Sequence, residues 1–220
     1  MKNKFKSFIL LLLFSFILLL PVKTQGQYYP QTYDNYNNNY NNYNEQTYTV
    51  KLDNFEFCTA EQKETQWCWA TCIAMALNYY DIPCTQEEVV MRTYGTLVNY
   101  PARDLFQIAS YMNGWGVTQH GKKVYVTAEA YPEYVFIPFQ NIIQELDNGK
   151  PFIIGVKNQD GSGHVVVCYG VDWCNTYQGP WVTCFHVFDP WPGNGKSDWD
   201  TEELRSRWMG AISIDVQSGR

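Results

Sequence analysis

Three side chains of this sequence have the chemistry needed for nucleophilic acyl transfer: the thiol of Cys68, the imidazole of His164 and the carboxylate of Asp189. Cys68 stands where a loop ends and a helical pattern begins. A thiol in the first turn of a helix lies close to unpaired backbone N–H groups and to the positive end of the helix dipole. Both favour the thiolate, which is the nucleophilic form of cysteine. We therefore expect Cys68 to be a reactive cysteine if the fold supplies a base.

The sequence contains three histidines that are candidates for this base. His120 lies in a polar turn beside Gly121 and is most simply a surface residue. His186 lies inside an apolar strand pattern, where a histidine is more often part of the core than a catalyst. His164 follows a Gly-Ser-Gly run and begins a strand, so the glycines leave room for a substrate backbone. We therefore expect His164 to be the base.

Asp189 ends the strand pattern that follows the one begun by His164. If the two strands are antiparallel neighbours, its carboxylate can reach one ring nitrogen of His164. It would then fix the tautomer and leave the other nitrogen facing the thiol. An aspartate before a proline is also a common turn former, so the pattern alone leaves that alternative open.

Helical patterns come first in the chain and strand patterns follow. Apolar residues recur with helical spacing at Trp69, Ile73, Ala76, Leu77 and Tyr80. Further helices are predicted after the capping-box spacing of Thr85 and Glu88, ending at Gly95, then over 101–112 and 139–147. Strands are predicted over 151–156, 164–171, 181–188 and 211–216, with a short helix over 201–208. This order predicts an α+β domain in which a helical lobe packs against an antiparallel sheet.

The run Trp67-Cys68-Trp69-Ala70, followed by Gly163-His164 and then by Asp189-Pro190-Trp191, resembles the papain-like cysteine peptidases. Gln62, six residues before the cysteine, also matches that family. The resemblance extends over roughly 57–216 and implies a papain-like fold, with the nucleophile on a helix N-terminus and a sheet carrying histidine and aspartate. Asp at 189, where plant and lysosomal enzymes have Asn, is similar to compact bacterial members such as the double-glycine peptidases.

The resemblance implies a role for each matching residue. Cys68 would be the nucleophile, His164 the general base and acid, and Asp189 the orienting residue. Gln62 would supply a side-chain donor to the oxyanion hole, beside the backbone N–H of Cys68, and we expect the side chain of Gln66 to point away. The expected substrate-binding residues are Trp69, Gly163 and Trp191.

These roles predict a cysteine peptidase that hydrolyses a protein or peptide substrate through a thioester, as a monomer and without a cofactor. Two alternatives remain: a transglutaminase or cell-wall amidase that uses the same Cys-His-Asp triad on other amides, and an inactive papain fold that serves as a binding module. We expect no metal site, because the chain has no Cys-x-x-Cys pair and no zinc-ligand spacing between cysteines and histidines. The net charge of −6 argues against nucleic-acid binding through a basic surface.

Residues 1–26 have the pattern of a secretory signal peptide. Lys2, Lys4 and Lys6 precede an apolar run over 8–20, which is shorter than the roughly 20 residues of a membrane span. An uncleaved anchor is the alternative. We therefore expect a bacterial protein that is secreted, periplasmic or held at the cell surface. Residues 27–48 are rich in Tyr and Asn and are predicted to be a disordered linker before a peptidase domain over 49–220.

Seven cysteines in an exported chain predict disulfides. An odd number leaves one thiol unpaired, and we expect this to be Cys68. The remaining six could form three bridges, of which Cys174–Cys184 is a candidate pair: Cys58, Cys72, Cys84, Cys168, Cys174 and Cys184. The sequence leaves their pairing open, because six cysteines allow about 15 connectivities.

Overall fold

The structure, a computed structural model, describes residues 46–219. The predicted signal peptide and all but the end of the predicted linker lie outside this range. Within it, no helix is both long and apolar enough to cross a membrane.

The described chain forms an α+β domain, as predicted. Its strands are β1 (Thr47–Lys51), β2 (Val124–Pro132), β3 (Phe152–Lys157), β4 (Gly163–Thr176), β5 (Gly179–Asp189), β6 (Gly195–Asp200) and β7 (Trp208–Ser218). Its α-helices are α1 (Cys68–Tyr79), α2 (Gln86–Tyr94), α3 (Leu105–Met112), α4 (Phe139–Asp147) and α5 (Thr201–Arg207). A short 3-10 helix, Phe55–Cys58, lies between β1 and α1.

All seven strands belong to one antiparallel sheet, in which six follow the order β2-β7-β3-β4-β5-β6 and β1 pairs with β4. The long strand β4 is the centre of this sheet. It pairs with β5 along one edge, while its other edge is shared by β3 over 163–168 and by β1 over 170–174. The β4–β5 hairpin therefore brings the beginning of β4 and the end of β5 to the same side of the sheet.

Helix α1 packs its apolar face against the sheet, as its spacing predicts. Trp69, Ile73 and Leu77 are at most 1% exposed. Burying side chains of this size contributes roughly 1.5–3 kcal/mol each to folding. The helix is thus anchored along its length, and its first residue, Cys68, is held at a defined position.

The boundaries of α2 agree with the prediction, whereas the start of α3 does not. Thr85 and Glu88 form the capping box of α2, and Gly95 ends that helix with a φ of 72°. The predicted start of α3 at Pro101 is wrong by four residues. The side chain of Asp104 accepts a hydrogen bond from the N–H of Gln107 at 2.8 Å, and this N-cap starts the helix at Leu105.

The sequence prediction missed β1, β2 and β6. Strand β1 begins at Thr47, so the last two residues of the predicted linker belong to the sheet. Most residues of β1 and half of those of β6 are exposed. Since β1 and β6 carry few apolar side chains, the alternation that reveals a half-buried strand is weak in these two strands.

The expected disulfides are not formed, because all seven cysteines, each within the described residues, are free thiols. The candidate pair Cys174–Cys184 is wrong for a geometric reason. Cys174 pairs across the hairpin with Trp181, whereas Cys184 pairs with Asp172. Cys174 thus lies two residues along β4 from the partner of Cys184, an offset of about 6.6 Å, and the strand spacing of about 4.8 Å adds to it. The resulting separation of about 8 Å exceeds the roughly 7 Å between Cα atoms that a bridge can span.

Candidate active site

Cys68 is the first residue of α1, and the loop before it is tightly held. Gln86, a buried residue of α2, accepts hydrogen bonds from the backbone N–H of Lys63 at 2.8 Å and from the hydroxyl of Thr71 at 3.1 Å. Its amide nitrogen donates to the carbonyl of Glu61 at 3.0 Å. Gln86 therefore joins the loop, α1 and α2. Sequence reasoning missed this residue, because no local pattern marks it.

His164 and Asp189 meet at one end of the β4–β5 hairpin. Nε2 of His164 lies 2.7 Å from Oδ1 of Asp189, and both side chains are less than 10% exposed. The backbone N–H of Trp191 donates to Oδ1 of Asp189 at 2.8 Å, and the amide of Asn194 donates to Oδ2 at 2.9 Å. Both carboxylate oxygens thus have partners, and Nδ1 of His164 is left to face Cys68.

The electrostatics of the pair favour a charged histidine. Burial lowers the pKa of His164, but hydrogen bonds and charge interactions with Asp189 and Cys68 outweigh it and raise this pKa to about 9. Burial raises the pKa of Asp189, yet its bonds to His164, Trp191 and Asn194 bring it below the ordinary value. An imidazolium at neutral pH stabilises a neighbouring thiolate.

Cys68 and His164 line the same surface cavity, of about 290 Å³. The cavity runs between the start of α1, the loop before α3 and the beginning of β4. Its other walls are Gln66, Trp69, Pro101, Ala102, Arg103, Asp104, Leu105, Ile108, Gly155, Ser162, Gly163, Val165 and Met209. The thiol and the imidazole are therefore both accessible from one cavity.

A model of the Peptidase_C39 like family matches residues 54–212. The chain belongs to this family. It is therefore a cysteine peptidase with the papain-like fold, as the resemblance implies. No curated protein matches the chain.

Solved structures similar to this C39-like chain include other peptidase domains. One is a double glycine motif protease from an AMS/PCAT transporter in complex with the leader peptide, with a TM-score of 0.44, 18% identity, and 73% of this chain and 91% of that chain covered. Another is the peptidase domain of Streptococcus ComA, a bifunctional ABC transporter, with a TM-score of 0.47, 16% identity, and 77% and 99% covered. A third is the N-terminal peptidase C39 like domain of a toxin secretion ATP-binding protein from Vibrio parahaemolyticus, with a TM-score of 0.38, 12% identity, and 72% and 99% covered.

The structure places Gln62 beside the active-site loop rather than in the cavity of this C39-like peptidase. Its amide nitrogen donates to the carbonyls of Glu64 at 2.9 Å and Thr65 at 3.1 Å, and its buried Oε1 has no hydrogen-bond partner among the described residues. Gln66, which we expected to point away, lines the cavity with Cys68. The oxyanion role of Gln62 therefore stays a prediction. It requires the amide nitrogen to give up its hydrogen bond to the carbonyl of Glu64 or Thr65 and to donate to the substrate oxyanion instead.

The predicted substrate-binding residues are only partly brought together. Trp69 and Gly163 line the cavity, although Trp69 is 1% exposed and its indole N–H donates to the carbonyl of Tyr100 at 3.0 Å. Trp191 does not line the cavity. Its side chain is 45% exposed, and its backbone N–H contacts Asp189 instead. The structure thus leaves Trp69 and Gly163 as cavity residues and places Trp191 beside Asp189.

The other two histidines lie away from this cavity. His120 is exposed and lies 3.5 Å from Asp81. His186 is buried in β5, as its apolar surroundings predict, but it contacts two carboxylates rather than only apolar side chains. His186, Asp172 and Cys184 form the one group of metal-ligating side chains found in the described residues.

Proposed function

We propose that this cysteine peptidase hydrolyses peptide bonds of a protein or peptide substrate through Cys68, His164 and Asp189, by way of a thioester. The observation that carries the proposal is the 2.7 Å contact between Nε2 of His164 and Asp189, with Cys68 beside the same imidazole in one open cavity. This is the arrangement of a nucleophile, a base and an orienting acceptor. All three residues come from one chain, which supports action as a monomer.

In the first half of the reaction, the thiolate of Cys68 attacks the carbonyl carbon of the scissile amide. The electron pair of the C=O bond moves to oxygen and gives a tetrahedral oxyanion. When this intermediate collapses, the C–N bond breaks and the amine leaves with a proton from His164. The acyl group remains on sulfur as a thioester.

In the second half, neutral His164 takes a proton from a water molecule as that water attacks the thioester. The C–S bond of the second tetrahedral intermediate breaks, and the substrate acid is released. Cys68 returns as a thiolate and His164 as an imidazolium. Asp189 holds the ring orientation and stabilises its positive charge throughout, without taking the proton itself.

The oxyanion needs donors beside the sulfur. The backbone N–H of Cys68 lies at the N-terminus of α1, where it has no partner within the helix. Gln62 is the second proposed donor, although its amide nitrogen is bonded to loop carbonyls in this structure. Substrate binding would therefore shift the Gln62 amide toward the cavity.

A peptide-library cleavage assay tests this proposal on the reduced full-length chain. Cys68→Ala should abolish cleavage, while Cys174→Ala, which changes a partly exposed cysteine far from the cavity, should leave it unchanged. Parallel reactions with a labelled amine and with purified cell wall report the transglutaminase and amidase alternatives. Incorporation of the amine or release of cell-wall fragments without peptide cleavage would contradict the proposal, as would an active Cys68→Ala variant.

We propose in addition that residues 1–26 direct export and that the enzyme acts outside the cytoplasm. The support is the basic start and the short apolar run of the sequence. Sequencing the N-terminus of the protein recovered from the expressing bacterium tests this. A mature start near residue 27 is expected, and an intact N-terminus on cytoplasmic protein would contradict it.

A further inference from the structure

A second cluster of reactive side chains lies on β4 and β5, outside the cavity that contains Cys68. Cys184 and His186 stand two residues apart on β5, so their side chains point to the same face of the sheet. Asp172 of β4 is the cross-strand partner of Cys184. One ligand atom from each of the three residues lies within 4.8 Å of the others.

The orientation of His186 aims its Nε2 atom into this cluster. Nδ1 of His186 lies 2.6 Å from Oδ1 of Asp198 on β6, so Nδ1 carries a proton that it donates to this carboxylate. In the neutral ring Nε2 then carries the lone pair. This assignment leaves Nε2 free to bind a cation.

Nε2 of His186 has no hydrogen-bond partner among the described residues, although the side chain is only 4% exposed. It lies 3.2 Å from Oδ1 of Asp172. In the neutral ring two lone-pair atoms face each other at this distance, and their repulsion is removed either by a proton on Nε2 or by a cation bound to both atoms. A tetrahedral ion with bonds of about 2.1 Å separates its ligands by about 3.4 Å, which is close to the spacing found here.

We propose that Asp172, Cys184 and His186 bind one divalent transition-metal ion of the zinc class. A thiolate, an imidazole and a carboxylate together suit Zn²⁺, whereas Mg²⁺ and Ca²⁺ prefer oxygen ligands alone. Asp172 is 28% exposed on its side chain, so a water molecule can complete a fourth position.

Two further residues support the proposed ligands from outside. Asp198 accepts the Nδ1 proton of His186, the carboxylate–histidine arrangement that orients many metal-binding imidazoles. Thr49 of β1 donates its hydroxyl to Oδ1 of Asp172 at 2.6 Å. The site thus connects β1, β4, β5 and β6.

This cluster is assembled by strand pairing rather than by local spacing. We expected no metal site because the sequence has no Cys-x-x-Cys pair and no zinc-ligand spacing between cysteines and histidines. Cys184 and His186 are neighbours on one strand, but Asp172 reaches them only through the register of the β4–β5 hairpin. A bound ion would hold that register, and β5 leads directly to Asp189.

Cobalt binding tests the proposal with a readout other than peptidase activity. The reduced, chelator-treated full-length chain carrying Cys68→Ala is titrated with Co²⁺, which absorbs through thiolate-to-metal charge transfer when a cysteine binds it. We expect one equivalent of Co²⁺ and a charge-transfer band, both displaced by Zn²⁺. Cys184→Ser should remove the band, and the matched control Cys174→Ser should keep it.

Conservative variants of the other residues separate metal binding from folding. Asp172→Asn and Asp198→Asn preserve the shape of their side chains. Removing the carboxylate of Asp198 should weaken Zn²⁺ binding by about 10–100-fold. Zn²⁺ should raise the melting temperature of the parent chain, but not that of Cys184→Ser. The proposal is overturned if no equivalent of metal binds, if Cys184→Ser binds as well as the parent, or if His186 is instead an imidazolium held between Asp172 and Asp198 in metal-treated protein.

Discussion

Nε2 of His164 lies 2.7 Å from Oδ1 of Asp189, although the two residues stand 25 positions apart in the chain. The β4–β5 hairpin produces this contact, because it returns the chain to the point where β4 began. Asn194 and the backbone of Trp191 hold the carboxylate from its other sides. The imidazole is therefore fixed in one orientation before substrate arrives.

The pH dependence of activity should report this contact. His164 has a pKa of about 9, and its protonated form both stabilises the thiolate and donates to the leaving amine. We expect kcat/KM for peptide hydrolysis to fall as pH rises through about 9. Asp189→Asn removes the negative charge that helps to raise this pKa, so the fall should move to lower pH.

Asp198→Asn is the matched control for this pH profile, because Asp198 contacts His186 and not His164. It should leave the alkaline limb in place. Asp189→Asn should retain measurable activity, since its amide oxygen can still accept from the ring, and Asp189→Ala should be less active. An unchanged alkaline limb in Asp189→Asn would show that Asp189 does not control His164.

The three histidines should differ in how their loss affects the enzyme. His164→Ala should abolish turnover in a folded protein. His120→Ala should have little effect, because this side chain is 79% exposed. His186→Ala should lower the free energy of unfolding, since it removes a buried side chain and leaves the carboxylate of Asp198 without the hydrogen bond from Nδ1. Activity assays beside urea unfolding curves separate these cases, and a folded but inactive His186→Ala with an active His164→Ala would mean that the wrong base was assigned.

Gln62 and Gln66 should be distinguishable by comparing hydrolysis with alkylation. Removing an oxyanion donor typically lowers kcat by about 10²–10³, whereas alkylation by iodoacetamide forms no oxyanion. We expect Gln62→Ala to hydrolyse peptides at least about 100-fold more slowly while its Cys68 is alkylated at nearly the wild-type rate. Gln66→Ala should show neither effect. The opposite pattern would make Gln66, which lines the cavity, the donor.

Gly210 should be intolerant of any side chain. It lies in β7 with a φ of 124°, and an added Cβ would overlap the backbone oxygen of Tyr131 and lie 2.8 Å from Cδ1 of Leu105. We expect Gly210→Ala to cost about 3 kcal/mol or more in urea unfolding. Gly121→Ala, where φ is 76° and no atom lies within 4 Å, should cost only about 1–2 kcal/mol. Equal costs would contradict this account of Gly210.

The sequence predicted the parts of the site that have local signals. The apolar spacing of α1 predicted a helix beginning at Cys68, and the strand patterns placed His164 and Asp189 at the ends of neighbouring strands. What the sequence could not supply was the register of strand pairs, because the alternation of side chains does not define which residues face each other. The contacts of His186 with Asp172 and Asp198 depend on that register, as do the positions of Cys174 and Cys184.

The sequence did not predict the contacts of the loop before α1 either. Gln62 was expected to face the substrate, yet its nearest acceptors are the carbonyls of Glu64 and Thr65 in its own loop. Gln86 holds this loop from α2, although it stands in a stretch that predicted only a helix cap. Such hydrogen bonds depend on how the helices and loops pack, and the spacing of apolar residues in the sequence does not predict them.

The selectivity of thiol labelling is the most direct test of Cys68 as the nucleophile. All seven cysteines are free thiols, which gives six internal controls in one molecule. Burial raises the pKa of Cys84 and of Cys168 to about 12, and raises that of Cys72 as well, so these thiols should react slowly. Cys68 lies instead at a helix N-terminus beside a protonated histidine.

The measurement is peptide mapping of the reduced full-length chain after treatment with limiting iodoacetamide at pH 6, with residual peptide hydrolysis recorded in parallel. We predict that Cys68 is alkylated first, that hydrolysis is lost in proportion to its alkylation, and that His164→Ala slows this labelling. Preferential labelling of Cys58, Cys174 or Cys184 would contradict the proposed mechanism. Peptide hydrolysis that is retained after Cys68 has been alkylated would contradict it as well.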